Sequence, residues 1–334
     1  GGQPIVVGID ELSTIGGGGE GDVGTLSYNE GTGVNTAVIT DESVQFPEGA
    51  TLRAVGLQSY LRQDLDGDGE YDVSLHTPSA VVAVNDDDMR RMVVDNESCA
   101  SCHEWFEGHG GNRVYNIAIC TLCHVPNQSS SGRTIGEPSS GLLEDFENAH
   151  DLDPSIDPED PLTYPEDAQN LKDLVHGIHS SGFRTRHFTH VRGGREGYYD
   201  WSHVTFPRDA ETSNCMLCHK EGTYELPLAG GLLATTVRTT GESDGMDETT
   251  DDGETAFKGG PNATDRINTP TASSCFYCHT SWEAMAHMVQ NGGLLSNPAG
   301  IDYVNRMALD SAAESCSVCH GPGKAADLEK VHNK

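Results

Sequence analysis

The chain has 334 residues, enough for one or two domains, and its 52 acidic against 20 basic side chains give a formal charge of −32. That balance excludes nucleic acid as a natural partner, because phosphate binding needs basic patches, and no hydrophobic run approaches the roughly 20 residues of a membrane span. Tryptophan, tyrosine and phenylalanine make up only 6% of the residues, and glycine is 39 of 334 against an average near 7%, so large side chains for a core built of protein alone are scarce.

Residues 1–95 contain no cysteine and a single histidine, His76. The chain opens Gly-Gly with no secretory leader and no cysteine near its start for lipid attachment, as expected of a mature or trimmed form. "GGGGEGDVG" (16–24) reads as a loop. "TAVIT" (36–40), "LRAVGLQSYL" (52–61), "DVSLH" (72–76) and "SAVVAV" (79–84) are apolar or β-branched stretches separated by turn residues, which predicts a small β domain over 1–95. Between two of them lies "DLDGDGEYD" (64–72), where Asp64, Asp66, Asp68 and Asp72 alternate with Gly67 and Gly69. Closely spaced carboxylates on a tight glycine turn suit calcium. Leu75 stands where an EF-hand loop has its closing glutamate, so a plain acidic hairpin is the competing reading.

"DNES" (95–98) leads into a different kind of sequence. All ten cysteines fall into five C-x-x-C pairs, Cys99 and Cys102, Cys120 and Cys123, Cys215 and Cys218, Cys275 and Cys278, Cys316 and Cys319, and each pair is followed at once by a histidine: His103, His124, His219, His279 and His320. C-x-x-C-H is the attachment signature of c-type haem. Two thiols three apart can add to the two vinyl groups of one porphyrin, and the next side chain then lies under the iron as its proximal ligand. Zinc would consume such pairs two at a time, and five is odd; it also gives no reason for a histidine in the same place each time. Disulfides within C-x-x-C would close tiny loops and staple nothing distant. Five haems would supply the apolar surface that the composition lacks. Residues 96–334 are therefore expected to form a pentahaem domain of short helices and long loops. Haem attachment of this kind takes place outside the cytoplasmic membrane, which points to the periplasm, the cell surface or beyond.

Between the second and third motifs, 142–170 is acidic and carries Pro154, Pro158, Pro161 and Pro165, the pattern of an exposed loop rather than core. "AQNLKDLVHGIHSSG" (168–182) reads as a helix ending near Gly182. The stretch 239–268 reads as a second polar loop, and "SWEAMAHMVQNGG" after the fourth motif as a short helix.

Each iron needs a sixth ligand or an open site. Of 15 histidines, ten are not proximal, so five irons could all be capped by imidazole. Bis-histidine ligation closes an iron to substrate and favours electron transfer. His176 and His179 stand three apart on one face of the expected helix and could serve two neighbouring haems. His109 on a glycine-rich turn, His287 after the fourth motif and His332 after the fifth complete the distal candidates, with solvated surface histidines as the alternative. His76, His150, His187, His190 and His203 are taken as structural or exposed.

"CASCHEWFEGHGGNRVYNIAICTLCHVPNQ", "LVHGIHSSG", "FPRDAETSNCMLCH", "SSCFYCHTSWEAMAHMVQNGG" and "ESCSVCHGPGKAADLEKVH" together resemble the OmcA/MtrC-type outer-surface multihaem cytochromes over most of 90–334, in the same motif order. The resemblance implies bis-histidine haems with His109, His176, His179, His287 and His332 as distal ligands. It also implies electron delivery to extracellular acceptors such as metal oxides, or to other multihaem cytochromes. Typical members carry ten haems in two pentahaem halves, each preceded by a β domain; this chain has one short β domain and one half. A half-length wire needs a partner cytochrome, a mineral, or copies of itself stacked through terminal haems into a filament. An electron carrier is the expected function. The alternative is a multihaem reductase with one open iron, disfavoured because all five motifs end in histidine and distal candidates suffice for every iron.

Overall fold

A computed structural model describes residues 5–8, 11–14, 23–126, 128–149, 151–194, 196–206, 213–229, 232–237, 266–296 and 314–332. The chain forms two compact units, one of Gly2–Met92 with Glu107–Leu122, the other of Val93–Phe106 with Cys123–Lys334.

The first unit is built of strands. β1 (Leu12–Thr14), β2 (Gly24–Asn29) and β3 (Val34–Ile39) form one sheet, with β1 parallel and β3 antiparallel to β2. The stretch 52–61, expected as a single strand, is divided: β4 (Ala54–Leu57) pairs with β7 (Ala80–Ala83), while β5 (Tyr60–Gln63) pairs with β6 (Val73–His76). The acidic loop 64–72 joins β5 to β6. A short hairpin, β8 (Glu107–Gly108) and β9 (Arg113–Val114), leads to the helix α2 (Ile117–Cys123). A Cβ on Gly56 would lie 2.5 Å from Ile119 and 2.7 Å from Leu122. The bare backbone of β4 is thus what lets α2, with Cys120 on it, approach so closely.

The second unit holds the other helices: α1 (Asn96–His103), α3 (Ser140–Glu147), α4 (Leu171–His179), α5 (Pro270–Phe276), α6 (Trp282–Gln290), α7 (Ser317–His320) and α8 (Leu328–His332). All are short, and polar side chains start several of them. Asp95, Ser139, Asn170 and Ser281 accept hydrogen bonds from the backbone N–H three residues on, at 3.0, 3.3, 3.0 and 3.2 Å. Strands β10 (Thr189–Arg192) and β11 (Gly197–Asp200) form an antiparallel pair, and β12 (Thr235–Val237), β13 (Arg266–Asn268) and β14 (Leu295–Ser296) a three-stranded sheet.

Two findings correct the sequence reading. Residues 142–170 are not a bare loop: α3 and the turns after it bury Leu142, Phe146, Ile156 and Tyr164 in a cluster with Ile135 and Val191. Their irregular spacing among prolines and acids hides the apolar face. Arg266–Asn268, at the end of the expected polar loop 239–268, is a strand, and 239–265 lies outside the described residues.

The other cluster joins Ala168, Phe188, Val237, Ala272, Phe276, Tyr277 and Met288. Helix α4 docks on it through Gly177, where a Cβ would stand 2.6 Å from the ring of Phe188. That ring is fully buried and has Tyr277, Trp201 and His190 around it, so it has little room to yield. Gly177→Ala gains roughly 1 kcal/mol of helix propensity but overpacks this contact at a cost of about 1–3 kcal/mol. The expected outcome is a lower denaturation midpoint for the haem-loaded variant than for the wild type.

Candidate metal centres

Each C-x-x-C-H motif occupies about one helical turn. The first lies in the second half of α1, the second on α2, the third on the 3-10 turn Cys215–Leu217, the fourth at the end of α5 and the fifth on α7. The histidine N–H donates to the carbonyl of the first cysteine in the last three, at 2.8 Å for His219, 2.9 Å for His279 and 2.9 Å for His320. One such turn brings positions i, i+3 and i+4 to one face, so both thiols and the imidazole point the same way.

The two thiols of a motif differ in exposure. Cys102, Cys218, Cys278 and Cys319, each the second cysteine of its pair, are exposed, whereas their partners Cys99, Cys215, Cys275 and Cys316 are partly buried; on α2 both Cys120 and Cys123 are partly buried. In the fifth motif the N–H of Cys319 donates to the carbonyl of Cys316 at 3.2 Å, and the Cys319 carbonyl accepts from Ala326 at 3.1 Å, so the backbone of this exposed cysteine is held on both sides.

No disulfide links any of the ten cysteines, Cys319 included. Among the described residues, the only group of three or more histidine, cysteine or carboxylate side chains with metal-ligand spacing is Asp64, Asp66 and Asp72. The motifs therefore do not converge on zinc-type clusters. Four of the five converge on a second histidine.

The ring centres of His103 and His179 lie 5.9 Å apart, edge-on, those of His219 and His176 5.9 Å apart, tilted, those of His279 and His332 5.9 Å apart, tilted, and those of His320 and His287 6.1 Å apart, edge-on. A metal-bound imidazole nitrogen sits roughly 2 Å from the metal, with its ring centre about 1 Å further, so two imidazoles across one metal are roughly 6 Å apart. Four motif histidines thus each stand near a second histidine at a spacing that two imidazoles sharing one metal would have. The donor set fits haem iron.

The family description that matches is outer membrane cytochrome MtrC/MtrF-like, domains II/IV, over residues 91–333. The chain belongs to this family. Comparison with curated proteins and with solved structures returned no match. Membership in the MtrC/MtrF-like cytochromes implies c-type haem and electron transport at the cell surface. No helix among the described residues is long and apolar enough to cross a membrane.

Second-layer contacts orient several imidazoles of this MtrC/MtrF-like chain. Nδ1 of His124 lies 2.6 Å from the carbonyl of Gln169, that of His179 2.8 Å from Val175, that of His320 3.0 Å from Ala326 and that of His332 3.2 Å from Leu328. A carbonyl only accepts, so Nδ1 carries the proton and Nε2 keeps the lone pair that binds a metal. Burial, followed by the neighbouring His219, Lys172 and His179, holds His176 down to about 3, which keeps it neutral.

The motifs also neighbour one another. Besides burial, the Cys218 thiol is raised by Cys102, and Cys278 and Cys316 act in turn on Cys215 and Cys275, the last pushed up to about 12. Glu314, just before the fifth motif, accepts from the Thr269 hydroxyl at 2.6 Å and from the N–H groups of Thr271 and Ala272 at 2.8 and 2.7 Å. An acidic side chain therefore satisfies the start of α5, whose other end carries Cys275.

The remaining histidines fall elsewhere. His109 is exposed in the β8–β9 turn, with φ of 56°, followed by Gly110 and Gly111 at 70° and 86°. His190 is fully buried and packs edge-on against Phe188 and Trp201 at 4.7 and 4.9 Å. His187 and His203 are exposed, the ring of His76 lies tilted 5.6 Å from that of Tyr60, and His150 lies outside the described residues.

In the acidic loop, ligand oxygens of Asp64, Asp66 and Asp72 lie within 4.8 Å of one another, and Asp68 is not part of that trio. Asp64 accepts from the N–H groups of Gly67 and Gly69 at 2.5 and 2.9 Å, which hold its carboxyl below the usual range. Gly67 and Gly69 have φ of 81° and 91°, a conformation that glycine adopts without cost.

The facing pairs generate a prediction. His179→Ala should leave the haem on Cys99 and Cys102 five-coordinate, and His176→Ala the haem on Cys215 and Cys218. Each variant should show one high-spin haem per chain by electron paramagnetic resonance, with no loss of covalent haem.

Proposed function

We propose that this chain is an electron carrier that passes electrons along five covalently bound haems, each iron held between two imidazoles, towards extracellular acceptors or partner cytochromes. The observation that carries the reading is the set of four histidine pairs at 5.9–6.1 Å. Haem, when bound, supplies a one-electron iron couple. The residues of this chain do the rest. The thiols, from Cys99 and Cys102 in the first motif to Cys316 and Cys319 in the fifth, fix each porphyrin, and the proximal histidines approach from the same helical turn. His179, His176, His332 and His287 close the opposite faces, and His109 keeps the distal role expected from the sequence. Closing both faces leaves no coordination position for a substrate, which disfavours the reductase alternative.

The pairings also suggest a path. His176 and His179 share α4, so the haems of the first and third motifs are neighbours. Electrostatic influence between thiols continues the series, with Cys102 acting on Cys218, Cys278 on Cys215 and Cys316 on Cys275. This supports an order of first, third, fourth and fifth haem. The test is low-temperature electron paramagnetic resonance of the oxidised protein with spins counted against haem content. Five low-spin haems per chain is the expected result. A stoichiometric high-spin signal in the wild type would overturn the carrier reading in favour of the reductase.

Asp64, Asp66 and Asp72 are proposed to hold calcium beside this machinery. Calorimetric titration should show one calcium bound per chain and none in Asp64→Asn. Absence of binding in the wild type reduces the loop to a hairpin turn.

A further inference from the structure

Asp173 is a buried carboxyl that the haem reading does not use. It is fully buried at the third position of α4, three residues before His176, with Asn170 capping the helix. Its Oδ1 lies 3.1 Å from the Ser273 hydroxyl on α5. Ser273 lies 2.9 Å from the Thr235 hydroxyl, which accepts from the Asn170 amide at 2.7 Å. Oδ2 is buried and makes no hydrogen bond.

One hydroxyl proton cannot serve both neighbours of Ser273, and the row resolves this in two ways. With Asp173 ionised, Thr235 donates to Ser273 and Ser273 donates to Asp173. With Asp173 neutral, the carboxyl donates to Ser273 and Ser273 donates to Thr235. The same heavy-atom positions therefore accommodate both protonation states.

Among the described residues, the charged and titratable groups acting on this carboxyl are Lys172 on its own helix and the Tyr277 phenol following α5. Burial outweighs the favourable Lys172 charge and the bonds from Thr235, Ser273 and Asn170, and pushes Asp173 up to about 6. The helix that holds this carboxyl also carries His176 and His179. A ferric site has one more positive charge than a ferrous one, and in a buried setting that charge acts strongly on a nearby carboxylate.

We propose that Asp173 takes up a proton when the irons served by His176 and His179 are reduced, coupling electron transfer in this chain to proton uptake. The inference rests on the bis-histidine haem reading. For an electron accepted from a one-electron donor, one positive charge disappears from the neighbourhood of the carboxylate. Asp173 then binds a proton from solvent and becomes the neutral acid. When the electron leaves to an acceptor, the proton is released.

The experiment is a spectroelectrochemical titration of the haem-loaded chain from about pH 4 to about pH 8. In the wild type, the potentials of these haems are expected to fall with rising pH around the Asp173 value of about 6. Asp173→Asn should abolish that dependence while keeping the low-spin signals. Ser273→Ala retains the carboxyl but removes a partner whose charge-assisted bond to the ionised form is stronger than its bond to the neutral acid, so the break should move to higher pH; it decides the matter if Asp173→Asn does not load haem. A wild type without pH dependence, an unchanged slope in Asp173→Asn, or an unmoved break in Ser273→Ala overturns the proposal. Haem content and spin state, measured on the same samples, reveal separately any failure of the haem reading itself.

Discussion

Helix α4 pressed onto the ring of Phe188 is the contact on which the second unit depends. Gly177 and Asp173 face inward, one because no side chain fits there and the other through the hydroxyl row on α5 and β12. With that face committed to the core, His176 and His179 are presented from it to imidazoles on two separate motifs, His219 and His103. A nine-residue helix thus sets the relation between two of the motifs. Its stability comes from tertiary packing rather than length, since an isolated helix so short is marginal in water.

The motifs are legible in the sequence because their chemistry is local. Two thiols and an imidazole must share one helical turn, so spacing alone exposes them. The H-x-x-H of α4 is legible for the same reason. Which imidazole faces which is not, because each pair joins distant stretches of chain, as His103 with His179 does, and no local period records such a pairing. Nor does the spacing distinguish the exposed Cys319 from the partly buried Cys316, since exposure depends on what packs around the turn. The apolar cluster around Leu142, Phe146, Ile156 and Tyr164 is hidden because prolines and carboxylates break any helical or strand-like alternation there. Glu314 is equally silent: an isolated acid before a haem motif reads as surface charge until Thr269 and the start of α5 appear opposite it, some 45 residues away in sequence.

The β unit shows the converse. Its strands announce themselves through β-branched residues and turns, yet their pairing is nested, with β5–β6 lying between β4 and β7 in sequence. A glycine inside a strand, such as Gly56, reads as a weak point. It is a place where α2 comes close, and so helps to seat Cys120.

The Glu314 cap has a mechanical consequence. Through one carboxylate, the segment entering the fifth motif is fastened to the start of the helix ending in the fourth. With haems on both motifs, as proposed, this tie would hold the gap between them against relative displacement. Electron hopping falls steeply with distance, and a conductor with one slack joint is limited by that joint. In such a conductor the clasp would keep this joint taut without a covalent link, using three hydrogen bonds that water cannot easily reach.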